Sequence, residues 1–236
     1  MRGFAFFALI VTLLCPAGLR AQVEDSVDVT DYDLSFDLST GSHFGGEAVI
    51  TMQLLRSCES VELLLVGEVS GVEVDGVAQE IRFVNGVLTV PTAGVLPGEP
   101  FTVLVAYTGR PNVESYGWGG FHYDGDQHYN LGVGFNADPH VMGRAIFPCR
   151  DNFTDKATYT LRVKTCAGWT AQCGGMLQSR TTDADGTEST VWRIANPTPT
   201  YLVSISLTFG VSLIVGWMIA RKNRKINMVE ALKGVD

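Results

Sequence analysis

The stretch GVGFNADPHVMGRAIFPCRDNFTDKATYTLRV, residues 132–163, decides the fold. It opens on glycines, passes an Asp138-Pro139 turn, brings Ile146 and Phe147 up to Pro148-Cys149, and ends in a period-two run. In that run Tyr159, Leu161 and Val163 alternate with Thr160, Arg162 and Lys164, the pattern of a strand with one buried and one wet face. Turn residues followed by a half-buried strand describe a rigid corner, with Pro148, Cys149 and Asp151 as its structural residues, and not a catalytic centre.

The same alternation recurs on both sides. Tyr32, Leu34, Phe36 and Leu38 alternate with Asp33, Ser35 and Asp37, and Ala48, Ile50, Met52 and Leu54 with Glu47, Thr51 and Gln53. With Gly41-Ser42 and Gly45-Gly46 between them, the two runs predict a β-hairpin. Val61–Val66 reads as a short buried strand. Asp75-Gly76 and Asn85-Gly86 are turn pairs that tolerate positive φ, and Ile81–Val84 and Val87–Val90 flank the second. Phe101–Tyr107 follows a Pro97-Gly98 turn, Asp185-Gly186 turns a further hairpin, and Val191–Ile194 and Tyr201–Leu207 read as strands separated by Pro197 and Pro199. Little room is left for helices, so the expected fold is all-β, a curved sheet or β-sandwich.

Gly109–Asn130 reads as a loop in which Tyr116, Trp118, Phe121 and Tyr123 are interleaved with glycines and aspartates. Flat rings give contact area at low entropy cost, so these four residues are a possible peptide- or glycan-binding loop; the alternative is a lid on the sandwich.

A chain of 236 residues, 46% hydrophobic and 18% charged, has the material for a sizeable core. Arg2, the apolar run Phe4–Leu14 and a small residue at Ala21 have the layout of a secretory signal peptide over residues 1–21. Export would put Cys58, Cys149, Cys166 and Cys173 in an oxidising compartment. Four cysteines allow three complete pairings; Cys166 and Cys173 are spaced for a local bridge, and Cys149 is expected as a buried free thiol. The net charge of −8 is concentrated in the body of the chain, because the tail from Arg221 is basic. An acidic body argues against nucleic acid as a partner.

Catalytic motifs are missing. The histidines are His43, His122, His128 and His140, so no H-E-x-x-H exists. No G-x-S-x-G elbow places a serine nucleophile, and no glycine-rich phosphate loop precedes a helix. His122 and His128, with Asp124 and Asp126 between them, are a metal cluster only if the loop folds them together; solvated loop histidines are the plainer reading.

The run from Phe135 through Phe147-Pro148-Cys149-Arg150-Asp151-Asn152 to Lys156-Ala157-Thr158-Tyr159 resembles the end of the N-terminal β-domain of the aminopeptidase N family of zinc metallopeptidases. The resemblance extends from about Val27 to about Leu207. It implies a saddle-like β-domain over residues 22–206 and a family activity of metal-dependent removal of N-terminal residues from peptides. Zinc belongs to the complete family enzyme and no cofactor is expected in this chain, since the catalytic domain with its H-E-x-x-H and G-x-M-E-N motifs is absent from it. In that family an acidic residue before the corner holds the substrate's free amino group. The matching position here is Asn136, which can accept a hydrogen bond from an ammonium but offers no charge; a turn cap is the alternative. The implied partners are a peptide substrate or a separate catalytic domain.

Beyond Ser206 the chain departs from the family. Residues 207–220 are apolar and are followed by Arg221-Lys222-Asn223-Arg224-Lys225, which predicts an apolar, possibly transmembrane, helix with a basic cytoplasmic tail over residues 221–236. The β-domain would then lie in the periplasm, outside the inner membrane. The last thirty or so residues resemble the end of an ABC exporter permease. Three functions follow: a truncated, non-catalytic aminopeptidase domain, a membrane-tethered peptide- or glycan-binding module, and a remnant of a transporter permease.

Overall fold

A computed structural model of the chain describes residues 26–40, 43–115, 117–125, 127–135 and 141–209. The expected signal peptide, most of the apolar stretch and the basic tail lie outside the described residues. Among the described residues there is no α-helix, and no helix long and apolar enough to cross a membrane.

β1 (Val27–Leu38) and β2 (Phe44–Leu54) form the predicted hairpin, with Tyr32 opposite Ile50 and Leu34 opposite Ala48. Their alternating apolar residues all point inward. β3 (Ser60–Leu64), β4 (Glu68–Val74), β5 (Val77–Ala78), β6 (Phe83–Val84), β7 (Val87–Pro91) and β8 (Pro100–Gly109) follow. The turns at Asp75-Gly76 (φ 47° and 76°) and Asn85-Gly86 (φ 52° and 80°) both lie in the left-handed region, as two-residue hairpin turns require. β9 (Asn112–Val113), β10 (Gly120–Asp124) and β11 (Gln127–Leu131) precede the corner; β12 (Lys156–Thr165), β13 (Trp169–Cys173), β14 (Met176–Thr182), β15 (Glu188–Pro199) and β16 (Ile205–Phe209) follow it.

The strands form three sheets: β14-β15-β12-β1-β2-β8-β4-β5, β13-β16-β11-β10-β9, and β3-β7-β6. The large sheet is antiparallel except between β1 and β12, which run parallel with Tyr32 beside Tyr159 and Leu34 beside Leu161. A parallel pair needs a long crossover, and the whole chain from β2 to the corner supplies it. The inward faces of all three sheets merge into one apolar core.

Four local expectations change. Val61–Val66 is half-buried: Val61, Leu63 and Leu65 point inward, while Glu62 faces solvent on the other side of the pleat. Gly109–Asn130 is not one loop, because it supplies β9, β10 and most of β11 to the second sheet, with Phe121 and Tyr123 on β10. Pro197 and Pro199 lie within β15, where β14 no longer pairs beyond Arg193 and a missing N–H costs no ladder bond on that edge. Tyr201 and Leu202 belong to a 3-10 turn, and the last strand starts at Ile205. That strand includes Leu207, which pairs with His128 on one side and Ala171 on the other. All four described cysteines are free thiols, with Cys149 buried.

Candidate functional site

The corner is built by backbone pairing. Leu64 N–H donates to the Cys149 carbonyl at 2.8 Å and Cys149 N–H to the Leu64 carbonyl at 3.0 Å, an isolated bridge that ties the third sheet to the corner. The Tyr107 hydroxyl donates to the Ile146 carbonyl at 3.0 Å and the Asn112 amide to the Ala145 carbonyl at 2.9 Å. Beneath it Tyr32 stacks on Tyr159 with centroids 5.1 Å apart, and Phe147 meets Tyr32 edge-on at 5.6 Å.

Asp151 is the polar centre of the corner. Its buried carboxylate accepts the Gly143 N–H at 3.2 Å, the Arg144 N–H at 3.4 Å and the Thr200 hydroxyl at 2.9 Å. Burial raises its pKa, and the hydrogen bonds from Thr200 and Arg144 offset part of the rise. Burial also pushes the Cys149 thiol well above its ordinary range. The Asp151 carboxylate is buried and hydrogen-bonded to Gly143, Arg144 and Thr200, and the Cys149 thiol is sealed in the core, so both are packed into the corner.

The described rings of the predicted aromatic loop do not share one exposed surface. Phe121 is buried in the core against Phe44, 5.3 Å away and edge-on, and is withdrawn from any ligand. Tyr123 is half-exposed on the same side of its strand and lies edge-on to His128 at 4.5 Å. Trp118 is exposed and packs on exposed Phe135 at 5.6 Å. Tyr116 and Asn136 lie outside the described residues.

Trp118 and Phe135 are held together by a residue that the sequence reading passed over. The Glu114 carboxylate accepts the Phe135 N–H at 2.7 and 2.9 Å and the Gly119 N–H at 3.1 Å, while Glu114 and Gly119 also bond through the backbone at 2.9 Å. The result is a fixed aromatic shelf on the segment that leads into Asn136. Nearby, His122 stacks on Tyr129 at 4.7 Å and its Nε2 lies 2.7 Å from the Trp118 carbonyl. An acid just ahead of the Gly117-Trp118-Gly119-Gly120 run was the available signal for Glu114.

The hairpin also separates the candidate metal histidines. His122 stands opposite Tyr129 and His128 opposite Tyr123, so the two imidazoles project from opposite faces. Among the described residues no three His, Cys, Asp or Glu side chains come together to hold a metal ion. No two histidines of the sequence are four residues apart, so it carries no H-E-x-x-H zinc motif.

Residues 29–202 match the Peptidase M1 N-terminal domain family. An M1 zinc metallopeptidase from Deinococcus radiodurans superposes with a TM-score of 0.69 at 22% identity, over 78% of this chain and 42% of that one. A variant of that enzyme with a Tyr-Ser-Ala substrate bound gives 0.69 at 23% identity, with the same coverage of 78% and 42%. Aminopeptidase A from Legionella pneumophila, solved with aspartic acid, gives 0.66 at 16% identity over 78% of this chain and 21% of that one. The chain thus spans less than half of each of these structures. No curated protein matches it.

Proposed function

The chain belongs to the peptidase M1 N-terminal domain family, and we propose that it is a non-catalytic β-domain that forms the substrate-side wall of a zinc aminopeptidase and braces the catalytic domain of that enzyme. The observation that carries this is the shelf of Trp118 and Phe135, locked by Glu114 directly ahead of Asn136. Bound peptide in a solved relative supports a peptide as the ligand of the completed enzyme. Asn136 then accepts a hydrogen bond from the peptide's amino group without pairing its charge, and zinc chemistry resides in the catalytic domain. We also propose export, with the β-domain in the periplasm and the basic tail from Arg221 in the cytoplasm.

The test is turnover of aminoacyl amides by the purified full chain with added zinc. No release is expected until a catalytic domain carrying H-E-x-x-H is added. Chelator-sensitive turnover by the chain alone would overturn the reading. For the topology, an alkaline phosphatase fusion after Phe209 is expected to be active and one after Asp236 inactive; the reverse overturns it.

A further inference from the structure

Three strands of the large sheet lose their regular pairing at one level. In β1, Val29 stands opposite Met52 and Asp31 opposite Thr51, so Thr30 is an extra residue. Between β12 and β15, Ala157 stands opposite Thr198 and Tyr159 opposite Ile194, so Ala195, Asn196 and Pro197 of β15 face Thr158 alone. The parallel rung of Asp31 and Thr158 joins the two irregularities. Such insertions bend a strand and re-aim its end.

Arg193 spans this level on the face of the sheet turned away from the core. Its Nη1 donates to Asp31 Oδ1 at 2.9 Å and to the Thr160 hydroxyl at 2.8 Å, and its Nη2 to the Thr158 hydroxyl at 3.0 Å. The Thr158 hydroxyl in turn donates to Asp31 Oδ1. One planar guanidinium thereby ties β15, β12 and β1 together, with a fork of donors that a single ammonium lacks. The corner holds the same stretch of β1. Arg150 Nη1 donates to the Val27 carbonyl and lies 3.5 Å from Asp155 Oδ2, while Asp155 Oδ1 accepts the Val29 N–H at 3.3 Å. The Arg150 N–H donates to the Tyr32 hydroxyl at 3.3 Å.

We infer that Arg193 is a clamp that fixes the bend of β1 at Thr30 and so presents Val27 and Val29 to Arg150 and Asp155, seating the corner on the large sheet from the sheet's opposite, open face. Arg162 supplies the comparison. It binds Asp33 through two bonds of 2.8 Å on the same face, but at a level where β1, β12 and β15 pair regularly. An ion pair there joins strands that need no further alignment. The clamp is independent of the Trp118 and Phe135 shelf, and it stands whether or not the chain serves an aminopeptidase.

The test is amide hydrogen exchange of the full chain, resolved to single residues by mass spectrometry with electron-transfer fragmentation. In Arg193→Met, which keeps a long side chain and removes its donors, the Val29 amide is expected to exchange about tenfold or more faster, the factor that one charged hydrogen bond supplies. The amides of β8, two strands away from β1, should change by less than about twofold, as local opening requires. Asp31→Asn, which keeps the shape of the side chain and removes its charge, should also speed Val29 and spare β8. Arg162→Met should leave Val29 within about twofold of wild type. An unchanged Val29 rate in Arg193→Met, or in Asp31→Asn should the first variant not fold, overturns the clamp. So does an equal rise at Val29 and throughout β8, or the same rise at Val29 in Arg162→Met.

Discussion

The Thr200 hydroxyl donates to Asp151 Oδ1 at 2.9 Å, joining two segments 49 residues apart. Thr200 opens the 3-10 turn that sets the start of β16, and Asp151 closes the corner that starts at Met142. The bond is therefore the link between the corner and the last strand of the second sheet. Thr200→Val removes one donor to a buried carboxylate and should cost about 1.5–3 kcal/mol. Asp151→Ala leaves the Gly143 and Arg144 N–H groups and the Thr200 hydroxyl without their acceptor, and should cost more than Thr200→Val. Urea denaturation checks the order; an Asp151→Ala midpoint equal to wild type sinks this account of the corner.

Stability should vary with pH through two groups of opposite sign. Burial lowers the His128 pKa below 6.5. As pH falls through 6.5 the unfolded chain takes up a proton that the folded ring refuses, so this contribution is present above 6.5 and lost below it. Asp151 is the reverse: its folded pKa is raised above 3.8, so its contribution is fully present below 3.8 and lost as pH rises through the folded value. Unfolding free energies from pH 7.5 down to 5.5 should show a loss in wild type that His128→Phe reduces. The same loss in both proteins would mean that the ring titrates freely when folded.

The large sheet was legible because its strands obey one rule: alternating residues in β1, β2 and β12 have one dry face each, and Asp75-Gly76 between β4 and β5 has the left-handed geometry such a pair favours, as Asn85-Gly86 has between β6 and β7 of the third sheet. The corner was legible for a different reason, since Pro148, Cys149 and Asp151 form a compact local signature. The second sheet was not. Its strands are two to five residues long, too short for a clear alternation, and Phe121 and His128 become core residues only through β13 and β16, which lie far along the chain. Glu114 escaped notice because its partners at Gly119 and Phe135 are main-chain N–H groups, which leave no trace in side-chain patterns.

Cysteine reactivity should follow burial and not sequence spacing. Cys149 is fully buried with its thiol pushed well up, and Cys173 is pushed up to about 12, both by desolvation. The thiolate is the reacting species. Iodoacetamide at pH 8 should therefore label Cys58 and Cys166 in the native protein at least tenfold faster than Cys149 and Cys173, and all four in urea. Peptide mass mapping reads the result. Early labelling of Cys149 would show that the bridge to Leu64 opens readily, against the packing described above.

The aromatic shelf should depend on the Glu114 carboxylate, which is bonded to main-chain N–H groups on both of its sides. Glu114 holds the Phe135 and Gly119 N–H groups, so Glu114→Ala releases Phe135 from the turn that carries Trp118 and leaves that turn closed only by the backbone bond to the Gly119 carbonyl. The loss of charge-assisted bonds at an exposed site is expected to cost about 1–2 kcal/mol, while Glu114→Gln, which keeps one carbonyl acceptor, should cost less. The sharper readout is local: with fluorotryptophan incorporated, the Trp118 fluorine resonance should move toward its unfolded position in Glu114→Ala, and the resonances of Trp169 and Trp192 should stay in place. Substitution of Phe135 by Ala should move the same resonance by loss of the ring contact at 5.6 Å. If Trp118 keeps its native shift in Glu114→Ala but not in Phe135→Ala, the ring contact alone fixes the shelf and the carboxylate has no part in it.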